Sequence, residues 1–473
     1  MQAIPYIYIL PELFLSVAIM SLLMLGVFIK KSFKLVSLLT ISSLAFAIIL
    51  VLNQPNEMVK IFNDSYIIDK LSIFMKVLTL LFCLFVLLSS KDYIKNNDID
   101  KIEYPIIILA STLGMILMIS SYDLIVFYLG LELQSLCLYI LASFRREDVR
   151  SSEAGLKYFV LSALASGLLL YGCSLIYGFT GSTNFETIAT NLNEANKGAV
   201  FGIVFIIVGL AFKVSAVPFH MWSPDVYQGA PTTVTAFLCT APKVAGFGAL
   251  LNIFIVAFME IQVEWQNLFW ILAALTMTVG NISALMQSHV KRMLAFSSVS
   301  HAGYLVLGVL VLNSVGLSAV LFYLVVYSVM NLGAFGIILL LEKDNKGLAF
   351  EDYRGFSAQH PWMAGAMALF MISLAGFPPT GGFVAKYGLL SSAVSEGYIW
   401  LVIIAVLNTL VSAYYYLRLI VNMYMQEEKE SPHPVSGVLV LGLIGLLAVI
   451  VLTLGITPEI LLKITSEAAT TVF

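Results

Sequence analysis

Ionisable side chains stand inside several long apolar segments of this sequence. Four of them are in places from which a side chain cannot easily reach water: Glu132 in 122–144, Lys213, five residues before Pro218, in 200–217, Lys243 in 232–258 and Lys386 in 362–390. A lysine at the centre of a bilayer costs about 2.5–3.5 kcal/mol on insertion scales, so such residues are functional by default. Amine and carboxyl groups can take up and release protons. The set therefore predicts proton transfer through the interior of a membrane protein.

Lys157 is the predicted partner of Glu132. It stands early in the segment 153–179, which must pack beside 122–144 because only a short loop joins the two. Burial disfavours the charged form of both side chains, while the attraction of opposite charges restores it. Joining or separating the pair would therefore change its charge. Lys157 is also close enough to the end of its segment to reach water, so its part is less determined than that of Glu132.

Three other charged residues lie close to the ends of their segments, where a side chain can reach water. Lys76 and Arg418 are expected to extend their charges to water, and Glu12 is interpreted as a helix-terminus residue. For the central lysines the alternative is a structural role, in which salt bridges merely hold helices together.

Two of the five histidines are candidates for a secondary proton path. His301 lies in the tenth apolar segment, which corresponds in the second half of the chain to the fifth segment with Glu132. A lone histidine is, however, as often a packed, hydrogen-bonded residue. His220 follows Pro218 at the predicted cytoplasmic mouth of the seventh segment. The histidines are scattered, so no metal site is predicted. A single central carboxylate is also a poor cage for sodium, so protons are the expected cargo.

The composition indicates a membrane protein. Of 473 residues, 60% are hydrophobic and 11% are charged, and the mean hydropathy is +0.95, whereas a soluble domain is about 45–50% apolar and about 25% charged. The 25 Lys and Arg residues against 28 Asp and Glu leave no basic excess for nucleic acid. The four cysteines have no CxxC spacing and are expected to be buried. With no glycine loop for phosphate and no metal or haem motif, no nucleotide, redox centre or soluble substrate is expected in this chain.

The prediction for the fold is an all-α polytopic membrane protein. Helices of about 17–25 apolar residues cross a bilayer, and the sequence contains about fourteen apolar windows of 15–29 residues. They are 7–29, 33–52, 71–90, 105–119, 122–144, 153–179, 200–217, 232–258, 265–286, 298–312, 316–341, 362–390, 398–424 and 435–456. Lysine and arginine are concentrated in loops after odd-numbered segments, such as Arg145, Arg146, Lys291 and Arg292. The positive-inside rule then places both termini on the non-cytoplasmic side.

Helix breakers interrupt two segments at corresponding places. The seventh ends at Pro218, and the twelfth is broken by the run 376–382. Interrupted segments in matching positions indicate an inverted-repeat transporter, and an odd offset of segments gives the copies opposite topology. The predicted organisation is a three-helix segment 1–104, two inverted five-helix repeats at 105–260 and 261–425, and a C-terminal helix in 426–473. The match is imperfect, because one lysine precedes its break and the other follows it.

Three stretches resemble the antiporter-like subunits of respiratory complex I. They are 217–237 (VPFHMWSPDVYQGAPTTVTAF), followed by Lys243, then 291–304 (KRMLAFSSVSHAGY) and 375–386 (AGFPPTGGFVAK). The resemblance covers essentially the whole chain. Among the antiporter-like subunits, the N-type subunits of the bacterial enzyme are favoured by three features. These are the sequence 225–231, the lysine at 386 and the short tail after Ile456. Gln228 stands where a glutamate is commoner in this motif.

The resemblance implies a fourteen-helix subunit that translocates protons while quinone is reduced elsewhere in the complex. Its essential glutamate and lysines match Glu132, Lys157, Lys213, Lys243 and Lys386. The implied chain holds no cofactor itself, and NADH, flavin, iron–sulfur clusters and quinone are expected in partner subunits. Other membrane subunits of complex I, antiporter-like ones among them, and the lipid bilayer of a bacterial inner membrane are the implied partners, with no nucleic acid. The alternatives are a subunit of a multi-subunit sodium/proton antiporter and a passive spacer.

Overall fold

The computed structural model of the chain describes residues 6–29, 32–192, 197–342, 347–427 and 437–470. These residues are almost entirely helical. The predicted all-α polytopic class is confirmed.

The first part of the chain is a three-helix unit closed by a β-hairpin. Its helices are α1 (Leu10–Phe28), α2 (Phe33–Leu52) and α3 (Lys70–Asn96), and its strands are β1 (Val59–Ile61) and β2 (Tyr66–Ile68). The strands pair antiparallel, with Val59 opposite Ile68. Helix α3 begins at a capping box, because the Asp69 carboxylate accepts from the backbone N–H of Ser72 and the Ser72 hydroxyl accepts from the backbone N–H of Asp69.

The remaining helices follow in chain order. They are α4 (Glu103–Ile119), α5 (Leu124–Ala142), α6 (Val149–Thr180), α7 (Phe185–Asn191), α8 (Lys197–Val214), α9 (Trp222–Gly229), α10 (Thr232–Leu238), α11 (Ala241–Asn252), α12 (Gln262–Leu285), α13 (Val290–Val311), α14 (Ser314–Leu341), α15 (Phe356–Gln359), α16 (Pro361–Ala375), α17 (Gly381–Ser395), α18 (Ile399–Met425), α19 (Val438–Ile456) and α20 (Glu459–Ala469). A π-helical turn, Ile253–Ala257, continues α11. Short 3-10 turns are Tyr6–Ile9, Met259–Ile261 and Phe350–Tyr353.

Among the described residues, 11 helical stretches are long and apolar enough to cross a membrane. Three shorter apolar helices are Glu103–Ile119, Gly198–Val214 and Pro361–Ala375. The number fourteen and the inverted relation of the two repeats stay predictions. The break in the twelfth segment is confirmed, since α16 and α17 are separate helices.

The eighth predicted segment matches a candidate membrane span, Thr232–Ala257, but the helix within it is not continuous. Helix α10 ends at Leu238 and α11 begins at Ala241, so the helix is interrupted at residues 239–240, and α11 begins two residues before Lys243. Pro242 stands in the first turn of α11, a position that a proline tolerates because that N–H has no partner within the helix.

Two of the candidate polar residues lie on the most deeply buried helices of the molecule. The most apolar stretch of Val290–Val311 is 100% buried, and those of Thr232–Ala257 and Ser314–Leu341 are 94% buried. The corresponding stretch of Val438–Ile456 is only 22% buried, as expected for a helix that faces lipid. Lys243 and His301 therefore lie on helices that protein surrounds on all sides.

Candidate functional site

Lys213 lies at the C-terminal end of α8, where the helix breaks. Ser215 has a φ of 64°, a left-handed conformation that stops the helix. The Lys213 side chain is buried, and its Nζ donates to Ser135 Oγ on α5 at 2.8 Å. The break thus ends α8 beside the helix that carries Glu132.

Glu132 accepts a hydrogen bond from Ser166 Oγ on α6. A cavity of ≈ 10 Å³ lies between Ser166 and Lys213 and is lined by both; a single water needs about 10–15 Å³. Ser135, the acceptor of Lys213, lies three residues after Glu132 on α5 and therefore on the same face of that helix. Glu132, the two serines and Lys213 therefore form one polar cluster between α5, α6 and α8.

The predicted ion pair between Glu132 and Lys157 is not formed. Lys157 Nζ instead lies 2.7 Å from Glu153 and 3.0 Å from Asp225, and its side chain is 44% exposed. The reason is position along α6, because Ser166 is nine residues beyond Lys157 and about 14 Å further along the helix. A lysine side chain does not cover that distance.

Lys243 lies in the first turn of α11, directly after the break in its segment. Its Nζ donates to the backbone carbonyl of Ser298 at 2.6 Å and also to the Ser298 hydroxyl, and it lies 5.5 Å from the centre of the Tyr327 ring. The side chain is only 2% exposed. A cation at a helix N-terminus is unfavourable, and these acceptors on α13 and the ring on α14 offset that effect.

Lys386 reaches back across the break between α16 and α17. Its Nζ donates at 2.9 Å to the carbonyl of Ala375, the last residue of α16, which is where a helix attracts a cation. Gly376 has a φ of 89°, and a Cβ on it would stand 2.8 Å from Lys386 Cδ. Gly376 therefore both ends α16 and leaves space for the lysine.

His301 lies between Lys243 and Lys386 within a group of tyrosines. Its Nδ1 is 2.6 Å from the Tyr323 hydroxyl and its Nε2 is 3.2 Å from the Tyr416 hydroxyl. The Tyr327 ring, 5.2 Å from His301, faces Lys243. The Tyr304 ring, which stacks on Tyr323, lies 5.1 Å from Lys386 Nζ. The histidine is thus hydrogen-bonded, as one of the two interpretations expected, and it stands on the route between the lysines.

His220 lies in the irregular segment between α8 and α9. It is half-buried, and within the described part of the chain its Nδ1 has no hydrogen-bond partner. It is near the break after Lys213, as predicted, but its contacts assign it no further role.

Two expectations about charged residues outside this site were wrong. Lys76 does not reach water, because it is 0% exposed and forms a 2.8 Å ion pair with Glu12, which Tyr66 also contacts. Lys291, predicted to lie in a loop, stands in the first turn of α13, is 2% exposed and donates to the carbonyl of Ala230. Arg418 behaves as expected, since it is partly exposed and reaches the carbonyl of Gln287.

The neutral partners of the lysines were not predicted from the sequence. Ser135, Ser166 and Ser298 and the tyrosines around His301 are too common in apolar segments to be singled out. One signal was available, because Ser135 follows Glu132 by three residues and therefore lies on the same face of α5. The four cysteines are buried and free, as expected. In the described ranges no group of three or more His, Cys, Asp or Glu residues could hold a metal ion.

The fold and the buried lysines define an antiporter-like membrane subunit, and the comparisons with known proteins agree. The model of the NADH:quinone oxidoreductase/Mrp antiporter transmembrane family matches residues 121–412. The chain belongs to this family.

Proteins similar to this chain over almost its whole length have a more specific name than the family. NADH-quinone oxidoreductase subunit N of Pelagibacter ubique is 45% identical over 97% of this chain and 98% of its own. The subunit N of Trichlorobacter lovleyi is 43% identical over 99% of this chain and 97% of its own. The resemblance to N-type subunits is confirmed.

Solved structures show the same architecture. A chain of respiratory complex I from Thermus thermophilus, solved with bound aureothin, is 32% identical with a TM-score of 0.84 and covers 96% of this chain and 98% of its own. A chain of the Mrp complex from Dietzia sp. has a TM-score of 0.87 over 98% of this chain and 96% of its own. That chain is only 22% identical, so it supports the fold alone.

Proposed function

We propose that this chain is the proton-translocating membrane subunit N of a bacterial NADH:quinone oxidoreductase. The observation that carries the proposal is the set Lys213, Lys243 and Lys386, buried inside the helical core with hydroxyl or carbonyl partners. Moving a proton against 100 mV costs about 2.3 kcal/mol. That energy comes from electron transfer in partner subunits, where NADH, flavin, iron–sulfur clusters and quinone are expected.

The proposed path runs through the middle of the molecule. Protons taken up from the cytoplasm reach the cluster of Glu132 and Lys213. The stem of Lys213 packs near Gly246, one turn after Lys243 on α11, so α8 and α11 approach each other close to both lysines. From Lys243 the tyrosines and His301 continue to Lys386. Water between these groups completes the hydrogen-bonded chain.

The geometry changes one part of the predicted mechanism. Because Lys157 is paired with Asp225, the charge that Glu132 can influence directly is that of Lys213. A proton gained or lost at Glu132 alters the stability of a positive charge on Lys213, and this coupling replaces the expected Glu132–Lys157 switch.

Two organisational features belong to the same proposal. Residues 105–260 and 261–425 are proposed as inverted repeats, each containing at least one helix break beside a buried lysine. Both termini are proposed to lie on the non-cytoplasmic side of a bacterial inner membrane, with the first three helices outside the repeats.

The experiment is proton pumping by membrane vesicles that contain the assembled complex. Lys213→Ala and Glu132→Gln are each expected to lower the number of protons pumped per NADH oxidised, with the complex still assembled. Gln134→Leu on the same helix is the control, since its amide has no hydrogen-bond partner in the described part of the chain. Normal pumping in both variants would refute the proposal.

The second candidate is a subunit of a multi-subunit sodium/proton antiporter, which the Mrp fold likeness keeps in view. The 45% identity to a subunit N weighs against it. Purification of the native assembly decides between the two, because only complex I oxidises NADH with quinone as acceptor. A passive spacer is disfavoured, since none of the three central lysines is in an ion pair of the described chain.

A further inference from the structure

Asp225 joins two parts of the chain that are distant in sequence. It lies on the short helix α9, between the break in α8 and the start of α10. Its Oδ2 is 3.0 Å from Lys157 Nζ on α6, and its Oδ1 is 2.8 Å from Arg292 Nη1 on α13. Each carboxylate oxygen thus binds one cation, one from each proposed repeat.

Both cations have a second partner in the same place. Lys157 also pairs with Glu153, one turn earlier on α6, at 2.7 Å, and Arg292 also donates to Gln228 on α9 at 2.7 Å. Partial burial acts to raise the pKa of Asp225, but the hydrogen bonds from Lys157 and Arg292 outweigh it and hold the pKa below its ordinary value. The carboxylate is therefore charged at neutral pH, and both ion pairs are present.

Helix α9 also contacts the backbone beside Lys213. Trp222, its first residue, donates from Nε1 to the carbonyl of Phe212 at 2.9 Å. Its ring stacks on Tyr158, the neighbour of Lys157, with centroids 4.3 Å apart and an interplanar angle of 3°. A force on Asp225 is thus transmitted through α9 to the residue that precedes Lys213.

The ion pairs of Asp225 are suited to opening during turnover. The side chains of Asp225, Lys157 and Arg292 are 36%, 44% and 30% exposed. Ion pairs with this much access to water are weak and are easily exchanged. The stacked Trp222, by contrast, is buried, so of the contacts of α9 described above the ion pairs are the ones that water reaches.

We propose that Asp225 is a positioning residue that latches α9 over the break in α8 and so closes Lys213 toward the cytoplasmic side. The Asp225 latch is the set Asp225, Lys157 and Arg292. This inference rests on the proposed function for the meaning of the closure, but the closure itself is measurable without pumping.

The primary test is accessibility of the break. Ser215, buried in the break itself, is replaced by cysteine in a chain whose native cysteines are changed to serine or alanine. A membrane-impermeant thiol reagent is then applied to the cytoplasmic side of vesicles holding the intact complex. Asp225→Asn is expected to raise the labelling rate about fivefold, the change that corresponds to the loss of weak, partly exposed ion pairs. Asp225→Glu is expected to restore slow labelling.

A matched control is present on the same lysine. Glu153→Gln removes the other carboxylate on Lys157 without touching α9, and it is expected to leave labelling unchanged. If Asp225→Asn prevents assembly, Arg292→Gln replaces it as the test. Unchanged labelling in the assembled variant overturns the latch.

Pumping separates the latch from the proposed function. Asp225→Asn is expected to lower the protons pumped per NADH oxidised while NADH oxidation continues, and Asp225→Glu is expected to recover the ratio. A merely structural defect would lower both in proportion. If Lys213→Ala pumps normally, the proposed function fails whether or not Asp225→Asn alters the labelling of the break.

Discussion

The three central lysines differ from Lys76 in the charge of their partners. Lys76 faces the carboxylate of Glu12, whereas Lys213, Lys243 and Lys386 face hydroxyls, carbonyls and aromatic rings. A neutral acceptor stabilises an ammonium group less than a carboxylate does. The three central lysines are therefore held in place without being fixed in the charged form, as a proton relay needs.

Lys386→Arg separates a relay from a spacer. Arginine preserves the positive charge and can still reach the carbonyl of Ala375, but it does not release its proton. We expect the protons pumped per NADH oxidised to fall, because a positioned proton-transfer group typically speeds its own step by about 10²–10⁴-fold. Lys463→Arg, on the amphipathic helix α20, is the control. A silent Lys386→Arg would support the spacer.

The Glu12–Lys76 pair gives a prediction about stability. Removing one partner of a buried ion pair leaves an uncompensated charge and destabilises by about 3–5 kcal/mol. Lys76→Met is therefore expected to lower the thermal stability of the purified complex. Adding Glu12→Gln should recover most of the loss, because the remaining charge is also removed. If the double variant is as unstable as the single one, the pair does not act as a unit.

At this scale the sequence identified residue types and depths better than it identified partners. An ionisable residue within an apolar run is visible from sequence, and so Glu132 and the central lysines could be predicted. Their partners depend on how far along neighbouring helices each side chain lies. Lys157 was paired with the wrong carboxylate because Asp225 belongs to a short helix that only tertiary structure brings over α6.

At the scale of elements, the lysines stand at helix ends that lie inside the protein. Lys213 lies in the last turn of α8 and Lys243 in the first turn of α11. Lys386 donates a hydrogen bond to the last residue of α16. Helix ends carry free backbone groups, which in a membrane must be satisfied by protein or by water in a cavity. Breaking a helix therefore creates polar surroundings where a lysine is tolerated.

Gly376→Ala tests whether the break at the end of α16 must be shaped for Lys386. A left-handed conformation costs a residue with a Cβ roughly 1–2 kcal/mol, and the new Cβ would also stand 2.8 Å from Lys386 Cδ. We expect a lower pumping ratio in the assembled complex. Gly388→Ala on α17 is the control, because its Cβ would meet only Ala319 at an ordinary 3.7 Å. Equal effects of the two changes would contradict the specific role.

The two helix breaks that contain proline or a run of glycine and proline were predictable from the sequence. The break between α10 and α11 was not. The run 376–382 and Pro218 are unmistakable in the sequence, whereas the interruption at 239–240 falls on a cysteine and a threonine. Neither residue forbids a helix. Pro242 could have been taken as the start of a new helix, but the same residue also occurs within kinked continuous ones.

At the scale of the whole molecule, both proposed repeats contain the same helix crossing. A Cβ on Gly114 would stand 2.6 Å from the backbone nitrogen of Gln134, so α4 and α5 touch through their backbones. In the second repeat a Cβ on Gly280 would stand 2.6 Å from the backbone nitrogen of Ser300, between α12 and α13. The fourth and fifth segments thus correspond to the ninth and tenth, which supports the proposed offset. These two matching glycine contacts could not be derived from the sequence, because glycine is common in membrane helices.

The connections of the molecule gather on two opposite faces. The first face holds the β-hairpin, the 120–123 connection and α7, joined by pairing of Tyr66 with Ser121 and of Asp123 with Asn184. The second holds Arg145, which contacts Asn97 and Glu342. Helix α5 runs from one face to the other, so the two groups of loops lie on opposite sides of the membrane.

The positive-inside rule assigns the Arg145 face to the cytoplasm, and single cysteines test that assignment. Thr190 on α7 and Glu147 in the α5–α6 loop are both exposed and belong to opposite faces. An impermeant thiol reagent added to intact cells with a permeabilised outer membrane is expected to label Thr190→Cys and not Glu147→Cys, and inverted vesicles should give the reverse. The parent chain is the control, because its cysteines are buried. The opposite pattern would invert the proposed orientation and put the Asp225 latch on the outlet side, since Lys157 and Arg145 lie at the same end of the α5–α6 pair.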